Sequence, residues 1–188
     1  MGGSARALLN KLMSLPETDT SKLAEIGFSM GGSFGLELAR DGAPLAAVAA
    51  FHAGLQTKSP AEPGKVKAKI LEQTGADDPL VPFDQIKAFE EEMTRAGADW
   101  QLISYSGTKH GFTNPEAAGN PALAYNKTVD ASAYDDSMSV PNRRSTRTPP
   151  SRKASVMRGI WFGLYRPGGR RSSASRLSFS AWPWVAPP

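Results

Sequence analysis

The chain has 188 residues, a length that fits one domain with a hydrophobic core. It contains no cysteine, which excludes disulfides, thiolate metal sites and a cysteine nucleophile. No apolar run approaches the roughly 20 residues that a membrane-spanning helix requires, so no membrane contact is predicted. The first residues lack the basic and apolar segments of a signal peptide, which predicts a cytoplasmic location.

The formal net charge of +4 is divided unevenly between two parts of the chain. Residues 139–188 hold 10 of the 22 lysines and arginines and none of the 18 acidic residues. Residues 1–138 therefore contain 12 basic and 18 acidic residues, a net charge of −6. This shift in composition predicts a folded domain over residues 1–138 and a separate basic tail over residues 139–188.

Helix, strand, helix and strand are predicted in the first third of the chain. Leucines at helical spacing indicate a helix over residues 5–15, which a proline ends. A short apolar run indicates a buried strand over residues 23–28, and a helix follows over residues 31–40, with Gly42 just after its end. Residues 45–51 form a continuous apolar run, typical of a strand covered on both faces.

The next part of the chain continues this alternation. Strands are predicted over residues 67–74 and 100–105. Between them Asp84 is the predicted N-cap of a helix that runs to Arg95, and Gly97 follows its end. Strands and helices that alternate with short links predict an α/β fold, with a mostly parallel sheet of about four strands and flanking helices on both faces.

The predicted helix over residues 84–95 has one apolar face and one charged face. Ile86, Phe89 and Met93 recur at helical spacing and are expected to face the core. The glutamates at positions 90–92 are expected to be mostly solvated, since charged side chains rarely lie in a core without a partner.

The basic tail over residues 139–188 lacks the periodicity of either a helix or a strand. Prolines interrupt it, its tryptophans recur at no regular spacing, and no second core is indicated. We expect disorder without a selected function for this segment. Two alternatives stay open: a basic arm that binds nucleic acid or an acidic membrane surface, and an out-of-frame translation of the end of the gene.

Residues 27–31 have the sequence Gly-Phe-Ser-Met-Gly, which matches the pattern G-x-S-x-G between a predicted strand and a predicted helix. In this pattern a strained strand-to-helix turn lifts the serine hydroxyl clear of the sheet. Gly27 and Gly31 are expected to let the helix pass close to the strand, where a Cβ atom would collide. Ser29 is therefore the predicted nucleophile, and the backbone N–H of Met30 is a predicted donor to the oxyanion.

A serine hydroxyl is a poor nucleophile until an imidazole takes its proton, and the imidazole needs a carboxylate to set its tautomer. The chain has two histidines. His110 follows the predicted strand over residues 100–105, at the carboxyl end where parallel sheets place their sites, and is the predicted base. His52 follows an earlier strand and precedes the candidate acid, so it is predicted to be packed or hydrogen-bonded at the strand end.

The predicted carboxylate lies in the sequence Gly-Ala-Asp-Asp-Pro over residues 75–79, just past the predicted third strand. Asp78 is the predicted partner of His110, with Pro79 fixing the turn after it. Asp77 is the alternative and is expected to be a solvated loop residue. The chain order of serine, aspartate and histidine is the order found in α/β-hydrolases.

Over residues 5–138 the chain resembles the dienelactone hydrolase family of α/β-hydrolases. The resemblance rests on residues 26–32 (Ile-Gly-Phe-Ser-Met-Gly-Gly), 51–55, 75–79 and 110–115 (His-Gly-Phe-Thr-Asn-Pro), and further on residues 88–93 and 124–126. It implies a partial α/β-hydrolase fold and a carboxylic ester hydrolase that acts through Ser29, Asp78 and His110. It also implies a small-molecule ester or lactone as substrate, and neither a metal nor an organic cofactor.

Two positions differ from the members of this family that open dienelactones. Those members usually carry a cysteine at the nucleophile position, where this chain has Ser29. They also tend to place an arginine four residues after the catalytic histidine to hold the substrate carboxylate, and this position is Asn114 here. The differences favour a general hydrolase of small esters over one specific for dienelactone.

Members of the family also have strands that come before the nucleophile strand, and this sequence has no counterpart of them. We therefore expect the strand over residues 23–28 to lack a partner along one edge, which promotes self-association between chains. The loop that supplies the second oxyanion donor is expected to be missing as well. One such donor contributes about 10²–10³-fold to turnover, so the chain is predicted to be weak or inactive as an enzyme.

A non-catalytic role is the alternative prediction. The chain would then be a decayed fragment, or a binding module with a basic tail. Nucleic acid is not an expected partner outside that tail. A comparison of ester turnover with that of a Ser29→Ala variant separates the enzyme from the alternative.

Overall fold

The structure, a computed structural model, describes residues 2–117, 119–145 and 160–163. Helices and strands alternate over most of the chain, as the sequence predicts up to residue 105. In chain order the elements are α1 (Gly2–Met13), β1 (Leu23–Phe28), α2 (Met30–Arg40), β2 (Ala47–Phe51), β3 (Lys69–Gly75), α3 (Phe83–Arg95), β4 (Asp99–Tyr105), α4 (Lys127–Ser139), a 3₁₀ turn (Val140–Asn142) and β5 (Ile160–Gly163).

The strands form one parallel sheet in the order β4, β3, β2, β1, β5. Phe28 at the end of β1 pairs with Phe51 at the end of β2, which in turn pairs with Gln73 in β3. Gly75 at the end of β3 pairs with Tyr105 at the end of β4. The carboxyl ends of β1 to β4 thus share one edge of the sheet. The predicted α/β class, with parallel strands and flanking helices, is confirmed.

The expectation that β1 lacks a partner along one edge is wrong for this structure. β5 pairs with β1 in parallel, from Leu23 opposite Ile160 to Ile26 opposite Gly163. This segment interrupts the basic tail with β-branched and aromatic residues, the types that strands favour. Its backbone supplies hydrogen-bond partners to β1 along the edge that the sequence predicts to be open. The predicted disorder of the remaining tail, from residue 146 to 159 and from 164 onward, lies outside the described residues.

Helices cover both faces of the sheet, because successive side chains along a strand point to opposite faces. On one face α1, α2 and α3 pack through a core that includes Leu9, Leu36, Val48, Ile70 and Phe89. On the other face α4 and the 3₁₀ turn cover smaller clusters that include Ile26, Ala49, Leu71, Ala133 and Val140. β2 is buried at every position, which accounts for its continuous apolar run.

Glycines follow α2 and α3 at the predicted positions. Gly42 has a φ of 72° and Gly97 a φ of 63°, a left-handed conformation that glycine adopts without a steric penalty. After α2 the N–H of Ala43 donates to the Leu38 carbonyl, and the equivalent bond follows α3. These bonds satisfy carbonyl groups that the last turn of each helix leaves without a partner.

The beginning of α3 differs from the prediction. Pro82 is the N-cap and Phe83 the first helical residue, so Asp84 lies within the first turn and is not the cap. A carboxylate in the first turn is still favourable, because the unpaired N–H groups at a helix N-terminus carry partial positive charge. The acidic residue therefore indicated the correct end of the helix but not its first residue.

The folded unit continues past the predicted end of the domain. Val140 is buried against the sheet. The ammonium group of Lys69 in β3 donates to the carbonyl oxygens of Pro141 and Arg143. Residues 139–143 are thus packed and hydrogen-bonded, contrary to the disorder predicted for them. Their prolines and arginines resemble the tail in composition, and composition does not show which residues contact a strand.

A buried ion pair joins α2 to α3. Arg40 donates to both carboxylate oxygens of Glu92, each at 2.9 Å, and both residues are buried. Arg40 also donates to the Leu55 carbonyl, and Glu92 accepts the N–H of Ala61. The expectation that Glu92 is mostly solvated is therefore wrong. Spacing along one helix cannot show a partner that a different helix supplies.

Glu25 in β1 is a half-buried acidic residue. Its Oε2 atom is buried and has no hydrogen-bond partner among the described residues. The side chain lines a cavity of about 210 Å³ between α1, β1 and α2, whose other walls include Leu8, Leu12, Phe34 and Leu38. Burial in these apolar surroundings raises the pKa of Glu25 to about 8. The carboxyl is therefore mostly protonated at neutral pH.

We expect Glu25→Gln to flatten the dependence of stability on pH between about pH 4.5 and 8. In the folded chain this carboxyl keeps its proton up to about pH 8, whereas the unfolded chain loses it near the ordinary pKa of 4.5. The folded state binds more protons in that window, so its stability falls as the pH rises, by at most about 1.4 kcal/mol per pH unit. Urea unfolding at several pH values between these limits measures the slope.

Glu116→Gln is the matched control, because Glu116 is an exposed loop residue whose replacement leaves the slope unchanged. Some slope is expected to persist in Glu25→Gln, since burial also raises the pKa of Glu72 well above its usual range. Equal slopes in the unchanged protein and in Glu25→Gln would show that Glu25 ionises freely in the folded state.

Candidate active site

Ser29 lies at the turn between β1 and α2. Its φ of 51° is in the left-handed region, which a non-glycine residue adopts only where its surroundings hold it. The Ser29 N–H donates to the Phe51 carbonyl at the end of β2. The Ser29 carbonyl accepts the N–H of Ser33 in the first turn of α2. The strained backbone is thus anchored to a strand on one side and to a helix on the other.

The close approach of helix and strand at this turn depends on Gly27 and Gly32. A Cβ atom on Gly27 would lie 2.3 Å from the backbone nitrogen of Gly32, a distance that real Cβ contacts do not reach. A Cβ atom on Gly32 would lie 2.9 Å from the Ala53 Cβ. The Cβ position of Gly31, by contrast, is open space. The expectation that Gly31 serves the close approach is therefore wrong, because the next residue is the one that faces the sheet.

His110 follows β4 in a loop that a later part of the chain holds in place. A parallel bridge joins His110 to Leu123, and the His110 carbonyl accepts the N–H of Ala124. Gly111 has a φ of 67°, so the chain changes direction directly after the histidine. Hydrogen bonds with residues 123 and 124 therefore fix the backbone of the predicted base.

Asp78 follows β3, and its side chain is fully buried. Its Oδ1 atom accepts the N–H of Leu80 at 2.8 Å, which orients the carboxylate. Close contact between its loop and the loop that precedes His110 requires a glycine at position 75. A Cβ atom on Gly75 would lie 2.2 Å from the Thr108 carbonyl oxygen. The absence of a side chain at this position thus lets the acid approach the base.

The three predicted residues meet at the carboxyl edge of the sheet. The Ser29 hydroxyl oxygen lies 2.9 Å from His110 Nε2, and His110 Nδ1 lies 2.7 Å from Asp78 Oδ2. The carboxylate favours the tautomer with a proton on Nδ1, which leaves Nε2 to accept the serine proton. His110 and Asp78 are buried, whereas Ser29 is partly exposed. This arrangement can activate a hydroxyl that a small molecule can reach.

Similarity to known proteins covers most of the described chain. The profile of the dienelactone hydrolase family matches residues 2–143. The chain belongs to the dienelactone hydrolase family. An uncharacterized protein of Caenorhabditis elegans is 36% identical to it over 122 residues, which are 60% of this chain and 73% of that protein.

Two solved structures are similar to this member of the dienelactone hydrolase family in both sequence and fold. A dienelactone hydrolase-like promiscuous phosphotriesterase from metagenomic libraries is 41% identical, with a TM-score of 0.69 over 73% of this chain. A protein called m3DLH is 40% identical, also with a TM-score of 0.69 over 73% of the chain. This chain spans 59% and 58% of the lengths of those two proteins.

Met30 is the first residue of α2 in this dienelactone hydrolase-family chain. Its N–H is one of the four at the start of a helix that have no carbonyl partner within the helix. The positive end of the helix dipole adds to the attraction for an anion at this position. The backbone at Met30 is therefore suited to bind a negative oxygen next to Ser29.

Asp77, the alternative acid, and His52, the second histidine, are not part of the series of hydrogen bonds described above. Asp77 is exposed in the loop after β3. His52 is buried after β2, and its Nε2 atom lies 3.0 Å from Thr113 Oγ1. Burial, with a smaller effect of the nearby His110, lowers the pKa of His52 to about 3. His52 is therefore neutral at neutral pH.

Sequence reasoning missed two polar side chains that hold α4 near the site. Asn126 caps α4 by accepting the N–H of Val129, and its amide also donates to Thr108 Oγ1. Gln73 in β3 donates to the Ala133 carbonyl of α4. The sequence carried a signal for the first, since asparagine before a helix is a favoured N-cap. It carried none for Gln73, whose partner is 60 residues away.

Within residues 2–117, 119–145 and 160–163, no group of three or more histidine, aspartate and glutamate side chains is placed to hold a metal ion.

No helix in the same part of the chain is long and apolar enough to cross a bilayer.

Proposed function

We propose that this chain is a carboxylic ester hydrolase that acts on a small ester or lactone through an acyl-enzyme. The observation that carries the proposal is the hydrogen-bond chain from Ser29 through His110 to Asp78, at 2.9 and 2.7 Å. Membership of the dienelactone hydrolase family supports it. A nucleophile, a base and an orienting acid at such distances are the groups that acyl transfer requires.

In the first half-reaction the Ser29 oxygen attacks the ester carbonyl carbon while His110 Nε2 takes the hydroxyl proton. The carbonyl oxygen becomes negative, and the N–H of Met30 stabilises it. Asp78 holds the resulting imidazolium in place. The bond to the alcohol oxygen then breaks, that oxygen takes the proton from His110, and the acyl group stays on Ser29.

In the second half-reaction water replaces the alcohol. His110 Nε2 takes a proton from the water as its oxygen attacks the acyl carbon. The new tetrahedral intermediate collapses when the bond to Ser29 breaks, and the serine oxygen recovers its proton from the imidazolium. The products are a carboxylic acid and the unchanged enzyme.

The residue four positions after the base favours a neutral substrate. Asn114, four residues after His110, brings no positive charge, and its Oδ1 atom accepts the N–H of Glu116. A substrate carboxylate would therefore find no cation at this position. A related protein at 41% identity is described as a promiscuous phosphotriesterase, and a phosphotriester is likewise uncharged. We propose neutral carboxylic esters as the principal substrates and include a phosphotriester among those to be tested.

Turnover is expected to be low. The proposed mechanism uses one oxyanion donor, the N–H of Met30 at the start of α2. An additional donor contributes about 10²–10³-fold in enzymes that use two. A cytoplasmic location stays a prediction, whereas the predicted self-association loses its ground at β1, because β5 pairs with that edge.

Labelling with a fluorophosphonate tests the proposal, because this probe reacts with an activated serine. Peptide mass spectrometry is expected to place the label on Ser29. Ser29→Ala and His110→Ala are expected to abolish labelling. Ser106→Ala, which changes an exposed serine in the loop before His110, is the matched control and keeps it. Hydrolysis of p-nitrophenyl acetate, lost in Ser29→Ala, completes the test.

Label on a different serine, or full labelling of His110→Ala, would contradict the triad. A folded chain that shows neither labelling nor hydrolysis would favour the alternative, a non-catalytic chain or a binding module. The observation that favours this alternative is the charge of residues 139–188, which have 10 basic and no acidic side chains.

A further inference from the structure

His52 and Ser29 are the two non-glycine residues with a positive φ in the part of the chain that the structure describes, at 41° and 51°. Their backbones are linked, because the Ser29 N–H donates to the carbonyl of Phe51, the residue before His52. The His52 N–H donates to the Gln73 carbonyl in β3. Strained backbone of this kind persists only where the surroundings hold it, and it is concentrated at functional sites.

The His52 ring packs against the base of the proposed triad. Its centroid lies 4.7 Å from the centroid of the His110 ring, with 62° between the planes. It also meets the Phe112 ring edge to face, at 5.1 Å and 83°. The hydrogen bond between His52 Nε2 and Thr113 Oγ1, at 3.0 Å, fixes the rotation of the ring. One side chain therefore contacts His110 and both of the residues at positions 112 and 113.

Packing at a strand end does not by itself account for a histidine at this position. Glycine or asparagine would adopt the positive φ with less strain. A phenyl ring would be buried at lower cost, because His52 Nδ1 is buried with no hydrogen-bond partner among the described residues. The imidazole is also held neutral by burial. A neutral ring does not repel the positive charge that His110 acquires when it takes the serine proton.

We propose that His52 is a positioning residue, whose locked ring holds the His110 imidazole in the orientation that directs Nε2 to Ser29 and Nδ1 to Asp78. The proposal rests on the proposed ester hydrolase function for its effect on rate. The orientation of the imidazole is a separate property that can be observed whether or not the chain turns over a substrate. Small displacements of a catalytic base have large effects on rate, since proton transfer requires hydrogen-bond distance.

Two substitutions of His52 separate ring packing from other effects. His52→Asn tolerates the positive φ but removes the ring that contacts His110. It is expected to lower kcat for p-nitrophenyl acetate about 100-fold with little change in KM. His52→Phe keeps an aromatic ring against His110 and loses the hydrogen bond to Thr113. It is expected to lose less than about 10-fold in kcat.

Thr113→Val provides a third variant that leaves the strained backbone of residue 52 unchanged. It removes the hydrogen bond that locks the His52 ring, and it is expected to lower kcat by about 3-fold to 10-fold without a change in KM. Thr94→Val is its matched control, because Thr94 is exposed in α3 and its replacement leaves kcat unchanged. The comparison of Thr113→Val with Thr94→Val tests the positioning role of His52 even if His52→Asn fails to fold.

Proton NMR follows the orientation of His110 without any substrate. The chain has two histidines, so His52→Asn leaves His110 as the single imidazole and its ring protons are assigned by difference. The proton that Nδ1 shares with Asp78 is expected to give a resolved downfield resonance in the unchanged protein. In His52→Asn this resonance is expected to broaden or disappear, and in His52→Phe to persist.

A sharp, unshifted resonance in folded His52→Asn would overturn the positioning role. Equal kcat values for His52→Asn and His52→Phe, or no loss in Thr113→Val, would overturn it as well. If the unchanged protein hydrolyses no ester, the proposed function fails, and the NMR comparison still decides whether His52 orients His110.

Discussion

Asp78→Asn is expected to lower the rate of ester hydrolysis about 10⁴-fold while the fold stays intact. The amide has nearly the same shape as the carboxylate, and its oxygen can still accept the N–H of Leu80, as Asp78 Oδ1 does at 2.8 Å. Its NH₂ group then faces His110 Nδ1, which must accept a hydrogen bond in place of donating one. The proton moves to Nε2, and the imidazole can no longer take a proton from Ser29.

Hydrolysis of p-nitrophenyl acetate and the rate of fluorophosphonate labelling measure this loss. Asp77→Asn is the matched control, because the same chemical change falls on the exposed neighbouring residue and is expected to leave both rates within about 2-fold. A loss below about 10-fold in Asp78→Asn, or similar losses in both variants, would show that Asp78 does not set the tautomer of His110.

Arg40→Leu is expected to lower the free energy of unfolding by about 3–5 kcal/mol. The substitution leaves the buried carboxylate of Glu92 without the two guanidinium bonds that it accepts at 2.9 Å. It also leaves the Leu55 carbonyl without its donor. A loss of this size approaches the roughly 5–15 kcal/mol that stabilises a typical domain. Urea unfolding measures the change.

A double-mutant cycle with Glu92→Leu isolates the ion pair from the loss of packing. The double variant is expected to be more stable than the sum of the two single changes predicts, by about 2 kcal/mol or more, because it removes both charges together. Lys87→Leu is the control, since the exposed pair of Lys87 with Glu91, at 4.0 Å, contributes little. Additive effects of Arg40→Leu and Glu92→Leu would contradict a strong buried pair.

Features determined by neighbours in the sequence were predicted well. The apolar run that became β2 was recognised because a strand buried on both faces must be apolar along its length. The ends of α2 and α3 were recognised because Gly42 and Gly97 adopt a backbone conformation that other residues avoid. Both signals are local, so no knowledge of the rest of the fold was required.

Features that depend on a distant partner were predicted poorly. Glu92 is buried because Arg40 lies across from it on another helix. The open edge predicted for β1 is paired with a strand that is more than 130 positions later in the chain, between residues 160 and 163. Residues 139–143 pack because Lys69 binds their carbonyl groups. Composition and periodicity describe one segment at a time and carry no information about such contacts.

For the candidate site, the sequence by itself determined which chemical groups are present and on which edge of the sheet they lie. A serine in a strand-to-helix turn, an aspartate after the third strand and a histidine after the fourth must share an edge, because parallel strands end on the same side. Only the tertiary structure decided that His110 lies within hydrogen-bond distance of both Ser29 and Asp78. It also decided that the second histidine, His52, packs on the first. Distances between loops are set by how closely their backbones and rings pack, and that depends on atoms far apart in the chain.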